Sequence, residues 1–126
     1  MPDRELFVAT STSHATENYY ATLLHELTHW SGHASRLKRD LINRFGDDAY
    51  AMEELVAELG AAFLCADLCI TNTPRLDHAA YVSSWLKVLR DDTRAIFTAA
   101  AKASAAVDYL TGLHIHARPV GQVAAQ

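Results

Sequence analysis

Residues 25–29 read His-Glu-Leu-Thr-His. On a helix, positions four apart lie about 40° apart around the axis and about 6 Å along it, so both imidazoles can face one ion. Zinc takes imidazole nitrogen at about 2.0–2.1 Å, and a catalytic zinc keeps one position open for water. Glu26 sits on the adjoining flank, where its carboxylate can reach that water without occupying the metal. The water's pKa falls toward about 7, and the carboxylate takes its proton as it attacks a carbonyl. His25 and His29 therefore read as metal ligands and Glu26 as a general base for metal-assisted hydrolysis. Ligand type favours Zn²⁺, with Mn²⁺ or Co²⁺ as alternatives.

Two imidazoles and a water leave one ligand to find. Residues 53–58 read Glu-Glu-Leu-Val-Ala-Glu, and Glu54 and Glu58 again stand four apart. Glu54 is the expected third ligand. Glu58 is expected to orient a ligand histidine by accepting its other ring N–H. Glu53 reads as part of a solvated face. His33 is a competing ligand, but in a continuous helix it lies about 12 Å along the axis from His25. It could share the ion only if the chain broke sharply at Gly32. In the metzincin pattern HExxHxxGxxH the third histidine would fall at Ser35, so that pattern is not met. His33 is instead expected at the rim of the cleft, or as a favourable group at the C-terminus of the helix. Hydrolysis also needs a donor to the oxyanion, for which Tyr81 and His78 are candidates. Arg36, Lys38, Arg39 and Arg44 form a basic cluster best read as a solvated loop, and His114 and His116 receive no role.

Four helices are expected to position these groups. The first runs from Glu17 to about Ser31, with Thr16 as N-cap, an apolar series Tyr20, Leu23, Leu24, Leu27, Trp30, and Gly32 as its stop. The second runs from about Ala49 to Leu68 with Leu55, Leu59, Ala62, Phe63 and Ala66 inward. The third, about His78 to Arg90, carries Tyr81, Trp85, Val88 and Leu89. The fourth follows a cap at Asp91 or Asp92 and runs to about Leu110, ended by Gly112. It turns a face of Ala95, Ala99, Ala103 and Ala106 toward a close neighbour. Glu5 to Thr10 predicts one short strand. The fold class is thus mainly α, or α+β at most. One domain spans 1–112, and 113–126 form a loose tail.

The 126 residues are half hydrophobic by count, enough for one packed core. A net charge of −4 speaks against gripping nucleic acid through the overall field. Cys65 and Cys69, four apart on a helix, read as buried thiols, not a disulfide. No segment resembles a signal peptide, and none reaches the roughly 20 apolar residues of a membrane span. A cytoplasmic protein is expected.

Three segments carry a resemblance: YYATLLHELTHWSGHASRLKRD (19–40), RFGDDAYAMEELVAELGAAFLCADL (44–68) and HAAYVSSWLKVLRDDTRAIFTAAAKASAAVDYL (78–110). Together they resemble the zincin-like C-terminal domain of ArdC-type antirestriction proteins and TraC-type plasmid primases. The resemblance implies a gluzincin-like metal centre mapping onto His25, Glu26, His29, Glu54 and Glu58, and a plasmid or phage setting. The hydrolytic centre read from the motif is expected to act on a peptide or protein substrate. The alternative the resemblance raises is a non-proteolytic antirestriction module with a structural metal and a nuclease or DNA partner. Such proteins carry a single-stranded-DNA-binding domain ahead of this one. This chain begins almost at the zincin-like part, so nucleic acid is not an expected partner of this domain alone.

Overall fold

The structure is a computed structural model that describes residues 1–10, 13–41, 48–70 and 79–116; for 79–84 and 114–116 it describes the backbone only. Its helices are α1 (Ala15–Ser31), α2 (Asp48–Asp67), α3 (Ala79–Asp91) and α4 (Ala95–His116), preceded by a single 3₁₀ turn at Arg4–Leu6. The mainly α class holds, and no strand occurs among the described residues.

Helix α2 packs against all three of the others. Its buried residues, Ala51, Leu55, Val56, Ala57, Gly60, Ala61, Leu64 and Cys65 among them, run around most of its circumference, as a central helix requires. Against it lies the alanine face of α4, with Ala95, Ala99, Ala103 and Ala106 all buried as expected. Small side chains let those two backbones approach closely. Ala99 and Ala103 meet Leu55 and Val56, while Ala95 meets Ala51 and Val88 of α3. On the other flank, Ala21 and Leu24 of α1 pack with Ala61, Leu64 and Cys65.

One tight contact between α1 and α2 is Thr28 against Gly60. A β-carbon placed on Gly60 would stand 2.6 Å from Thr28 Cγ2 and 2.9 Å from its Oγ1. Thr28 is fully buried, and its hydroxyl donates to the Leu24 carbonyl at 2.8 Å. The threonine inside the His-Glu-Leu-Thr-His run is therefore a packing residue, and it brings the neighbouring His29 up against α2.

Several local expectations are corrected. The segment predicted as a strand makes the 3₁₀ turn and then runs extended along the start of α1. It has no strand partner among the described residues; Phe7 packs edge-on against Tyr19, and the Val8 carbonyl accepts from Asn18 Nδ2 at 2.7 Å. Helix α1 begins two residues early, with His14 at the N-cap, where the Glu17 carboxylate accepts the His14 N–H at 2.7 Å. Its buried face is Ala21, Leu24, Thr28 and Ser31, while Tyr20 and Trp30 are exposed. Ala62 and Ala66 of α2 also face outward. Helix α4 continues through Gly112, where an added β-carbon would meet nothing within 4 Å. The tail beyond 116 lies outside the described residues.

Cys65 is buried and Cys69 exposed, both as free thiols. Cys69 takes the left-handed conformation (φ 54°) that ends α2, with Ile70 N–H bonded to the Cys65 carbonyl at 2.9 Å. That position turns its side chain out of the core.

Candidate metal centre

Side by side on α1, His25 and His29 present their Nε2 atoms to each other at 3.1 Å. The Glu54 carboxylate comes from α2 to meet both. One oxygen stands 3.4 Å from His25 Nε2 and the other 3.1 Å from His29 Nε2. The three groups offer ligand atoms that all lie within 4.8 Å of one another. Ligands about 2.05 Å from a tetrahedral ion stand about 3.3 Å apart. The imidazole nitrogens stand 3.1 Å apart and each has a Glu54 oxygen at 3.1 or 3.4 Å, close to that spacing, so the donor set fits a divalent cation.

The other ring nitrogens are also held. Glu58 Oε1 lies 2.8 Å from His25 Nδ1, although that nitrogen makes no well-aligned hydrogen bond among the described residues. His29 Nδ1 makes an aligned bond to Glu53 Oε1 at 3.1 Å. Burial opposes charge on His25, but the carboxylates of Glu54 and Glu58 outweigh it and raise its pKa to about 9. His29 is raised to about 9 in the same way, with Glu53 and Glu54 overcoming burial. Glu54 is buried, yet His25 and His29 hold its carboxyl down at about 2. Glu53 is also lowered against its burial, by His29 and Arg39.

Two residues that sequence reasoning placed in solvent belong to this cluster. Glu53 is 9 % exposed, and Arg39 spans it with both arms of its guanidinium. Arg39 Nε donates to Glu53 Oε2 at 3.0 Å and Nη2 to Oε1 at 2.9 Å. Spacing alone did not mark Glu53 for burial: α2 keeps exposed positions at Ala49, Ala62 and Ala66, and Glu53 is covered where the helix packs against its neighbours. The rest of the basic cluster divides. Arg36 lies over the Trp30 ring at 3.8 Å, Lys38 is exposed, and Arg44 lies outside the described residues.

A cleft of about 300 Å³ opens beside the cluster, lined by Glu26, His29, Leu41, Tyr50, Glu53 and Glu54. Glu26 is exposed to it, on the flank of α1 next to the first histidine. Tyr50, not singled out from the sequence, is part of its wall. His33 is exposed, and its Nδ1 is engaged by Ser35 Oγ at 2.8 Å. Tyr81 lies on α3, with its side chain outside the described residues, as are His78 and the side chains of His114 and His116.

The chain matches the model of the zincin-like metallopeptidase family MPTase-PolyVal over residues 1–102, and it belongs to that family. It is 56 % identical over 92 residues to the uncharacterized protein y4eC of Sinorhizobium fredii, covering 73 % of this chain and 30 % of that protein. It is 47 % identical over 110 residues to a DNA primase TraC of Escherichia coli, covering 87 % of this chain and 10 % of the primase. Among solved structures it resembles the Mn(II)-bound antirestriction protein ArdC of plasmid R388, with a TM-score of 0.71 and 48 % identity over 83 % of this chain and 39 % of ArdC. The metal-free form of ArdC gives a TM-score of 0.69 at 49 % identity, over 82 % of this chain and 37 % of that one. The chain thus spans a third or less of the curated relatives it matches. Among the described residues, no helix is long and apolar enough to cross a membrane.

Proposed function

We propose that the chain is a metal-dependent hydrolytic domain of the zincin type, cleaving a peptide bond in a plasmid or phage antirestriction setting. The observation that carries this reading is the convergence of His25 Nε2, His29 Nε2 and the Glu54 carboxylate at 3.1–3.4 Å beside a cleft that Glu26 lines. These three residues would hold the cation; their spacing suits zinc, and manganese is the ion bound in the related ArdC structure. A bound divalent cation supplies Lewis acidity, which makes a water nucleophilic near neutral pH and polarises a carbonyl. Glu26 accepts the proton from the attacking water and delivers it to the leaving amine. Glu58 stands behind His25 and fixes how that ring is presented. Tyr81 is the proposed donor to the developing oxyanion, and Tyr50 on the cleft wall is the other phenol able to serve.

The test is Glu26→Gln in metal-loaded protein, assayed against an unstructured protein substrate. Metal content should be unchanged and hydrolysis should fall about 10²–10⁴-fold. Equal cleavage by the variant would refute the role of Glu26. Kinship with an antirestriction protein and a DNA primase favours a second reading. In that reading the metal is structural and the domain binds a nuclease or DNA, so Glu26→Gln leaves protection of incoming DNA intact. Protection lost together with hydrolysis rejects it.

A further inference from the structure

Gly32 caps α1 with φ −80° and ψ −6°, a conformation open to any residue. Its glycine is not explained by the backbone. It is explained by space: a β-carbon there would stand 2.7 Å from Arg39 Nη2 and 2.8 Å from Arg39 Cζ. The chain after α1 doubles back to deliver that guanidinium. Lys38 takes φ 53°, and the Arg39 N–H bonds the Gly32 carbonyl at 2.9 Å. The buried guanidinium then ties three things together. It donates to the Thr28 carbonyl at 2.6 Å, to Ser31 Oγ at 3.1 Å, and through its fork to both oxygens of Glu53.

Glu53 in turn holds His29. A carboxylate paired with arginine is an acceptor only, so the 3.1 Å contact requires the proton of a neutral His29 to sit on Nδ1. The lone pair then lies on Nε2, the atom that faces His25 and Glu54. We infer that Gly32, Arg39 and Glu53 form a clamp that fixes the tautomer and ring orientation of His29 for metal binding, with Arg39 and Glu53 as positioning residues. The inference rests on the metal-site reading above. It adds a charged relay, anchored on the end of the helix that carries both histidines, to the simpler carboxylate behind His25.

The experiment measures Zn²⁺ affinity by competition with a chelator, thermal unfolding in excess EDTA, and the ring ¹⁵N spectrum of His29 in the zinc-loaded chain. Gly32→Ala displaces the guanidinium without touching Glu53 or His29. The pair Arg39→Met with Glu53→Gln removes the clamp without leaving a buried charge alone. Zinc affinity should fall about 10–100-fold in both, the range found when groups behind metal ligands are lost. The Nδ1–H signal of His29, sharp in the wild type, should broaden or vanish. If the pair fails to fold, Gly32→Ala decides. Affinities within twofold of wild type in a folded variant, or an unchanged His29 Nδ1–H signal, overturn the clamp. His29→Ala separates this from failure of the metal site itself. If the wild type and His29→Ala both bind no zinc, the metal-site reading fails. If only His29→Ala loses zinc while the clamp variants keep it, the clamp alone fails.

Discussion

Gly60→Ala places one methyl at the contact that holds the two halves of the metal centre together. The new carbon would lie 2.6 Å from Thr28 Cγ2, about 1 Å inside the usual 3.5–4.0 Å contact of two carbons. Thr28 cannot turn away freely, because it is fully buried and its hydroxyl is bonded to the Leu24 carbonyl. Relief must come largely from α1 and α2 moving apart by a large part of that ångström. Overpacking of this kind costs about 1–3 kcal/mol, while replacing an interior helical glycine by alanine returns up to about 1 kcal/mol. The net expectation is a loss of about 0–3 kcal/mol in denaturant unfolding. Metal binding is the more sensitive readout. His25 and His29 lie on one side of the contact and Glu54 on the other, at separations of 3.1–3.4 Å. Metal sites tolerate about 0.2 Å in ligand distance. Zinc affinity should therefore fall at least tenfold, about 1.4 kcal/mol. Thr28→Ser deletes Cγ2 and keeps the hydroxyl, so the double variant should recover part of both losses, with a coupling above about 0.5 kcal/mol. A Gly60→Ala chain that is more stable than wild type, binds zinc as tightly and gains nothing from Thr28→Ser would refute the reasoning.

Two further outcomes follow from the same geometry. Zinc at a hundredfold over its dissociation constant should stabilise the wild type by about 2.7 kcal/mol in chemical denaturation, and EDTA should reverse it. His29→Ala should abolish that shift, and an equal shift in the variant would place the ion elsewhere. In native protein, a thiol reagent should modify Cys69 rapidly and Cys65 only on unfolding, since one is exposed and the other buried. Mass spectrometry of the labelled peptides reads this directly, and equal rates would contradict the packing of α2 against α1.

The helices were legible because their apolar residues recur at helical spacing and their interruptions carry loop residues. The alanine series of α4 announced a close neighbour, and α2 is that neighbour. What the sequence could not convey was circumference. Read as an amphipathic helix, α2 should have turned Ala62 and Ala66 inward and Glu53 outward; the alanines are exposed and Glu53 is buried. Because α2 packs on three helices, Glu53 is left buried, and the arginine that answers it comes from a loop 14 residues earlier. Pairings of that kind depend on tertiary approach, which spacing does not encode. The N-terminal segment failed for a related reason. Phe7 and Val8 suit a strand, but a strand needs a partner, and the segment meets the aromatic rings of α1 instead. At the centre itself, four-residue spacing put Glu54 and Glu58 together on one face of α2, and both stand within 3.4 Å of a histidine nitrogen. It could not indicate that a second carboxylate, Glu53, would stand behind His29.

Charge gives these placements a common logic. Glu53, Glu54 and Glu58 bring three carboxylates to two imidazoles, and Arg39 compensates one of them. With both histidines neutral, two negative charges remain in a part-buried site. Uncompensated charge in such surroundings costs several kcal/mol. Two protons on the imidazoles would balance it, and this is why His25 and His29 are raised to about 9. One divalent cation would balance it as well, through the same two Nε2 atoms. Without the guanidinium, three negative charges would surround the same ligands and Glu53 would have no fixed partner but His29. Arg39 therefore acts twice, holding Glu53 in place and removing one negative charge from the cluster.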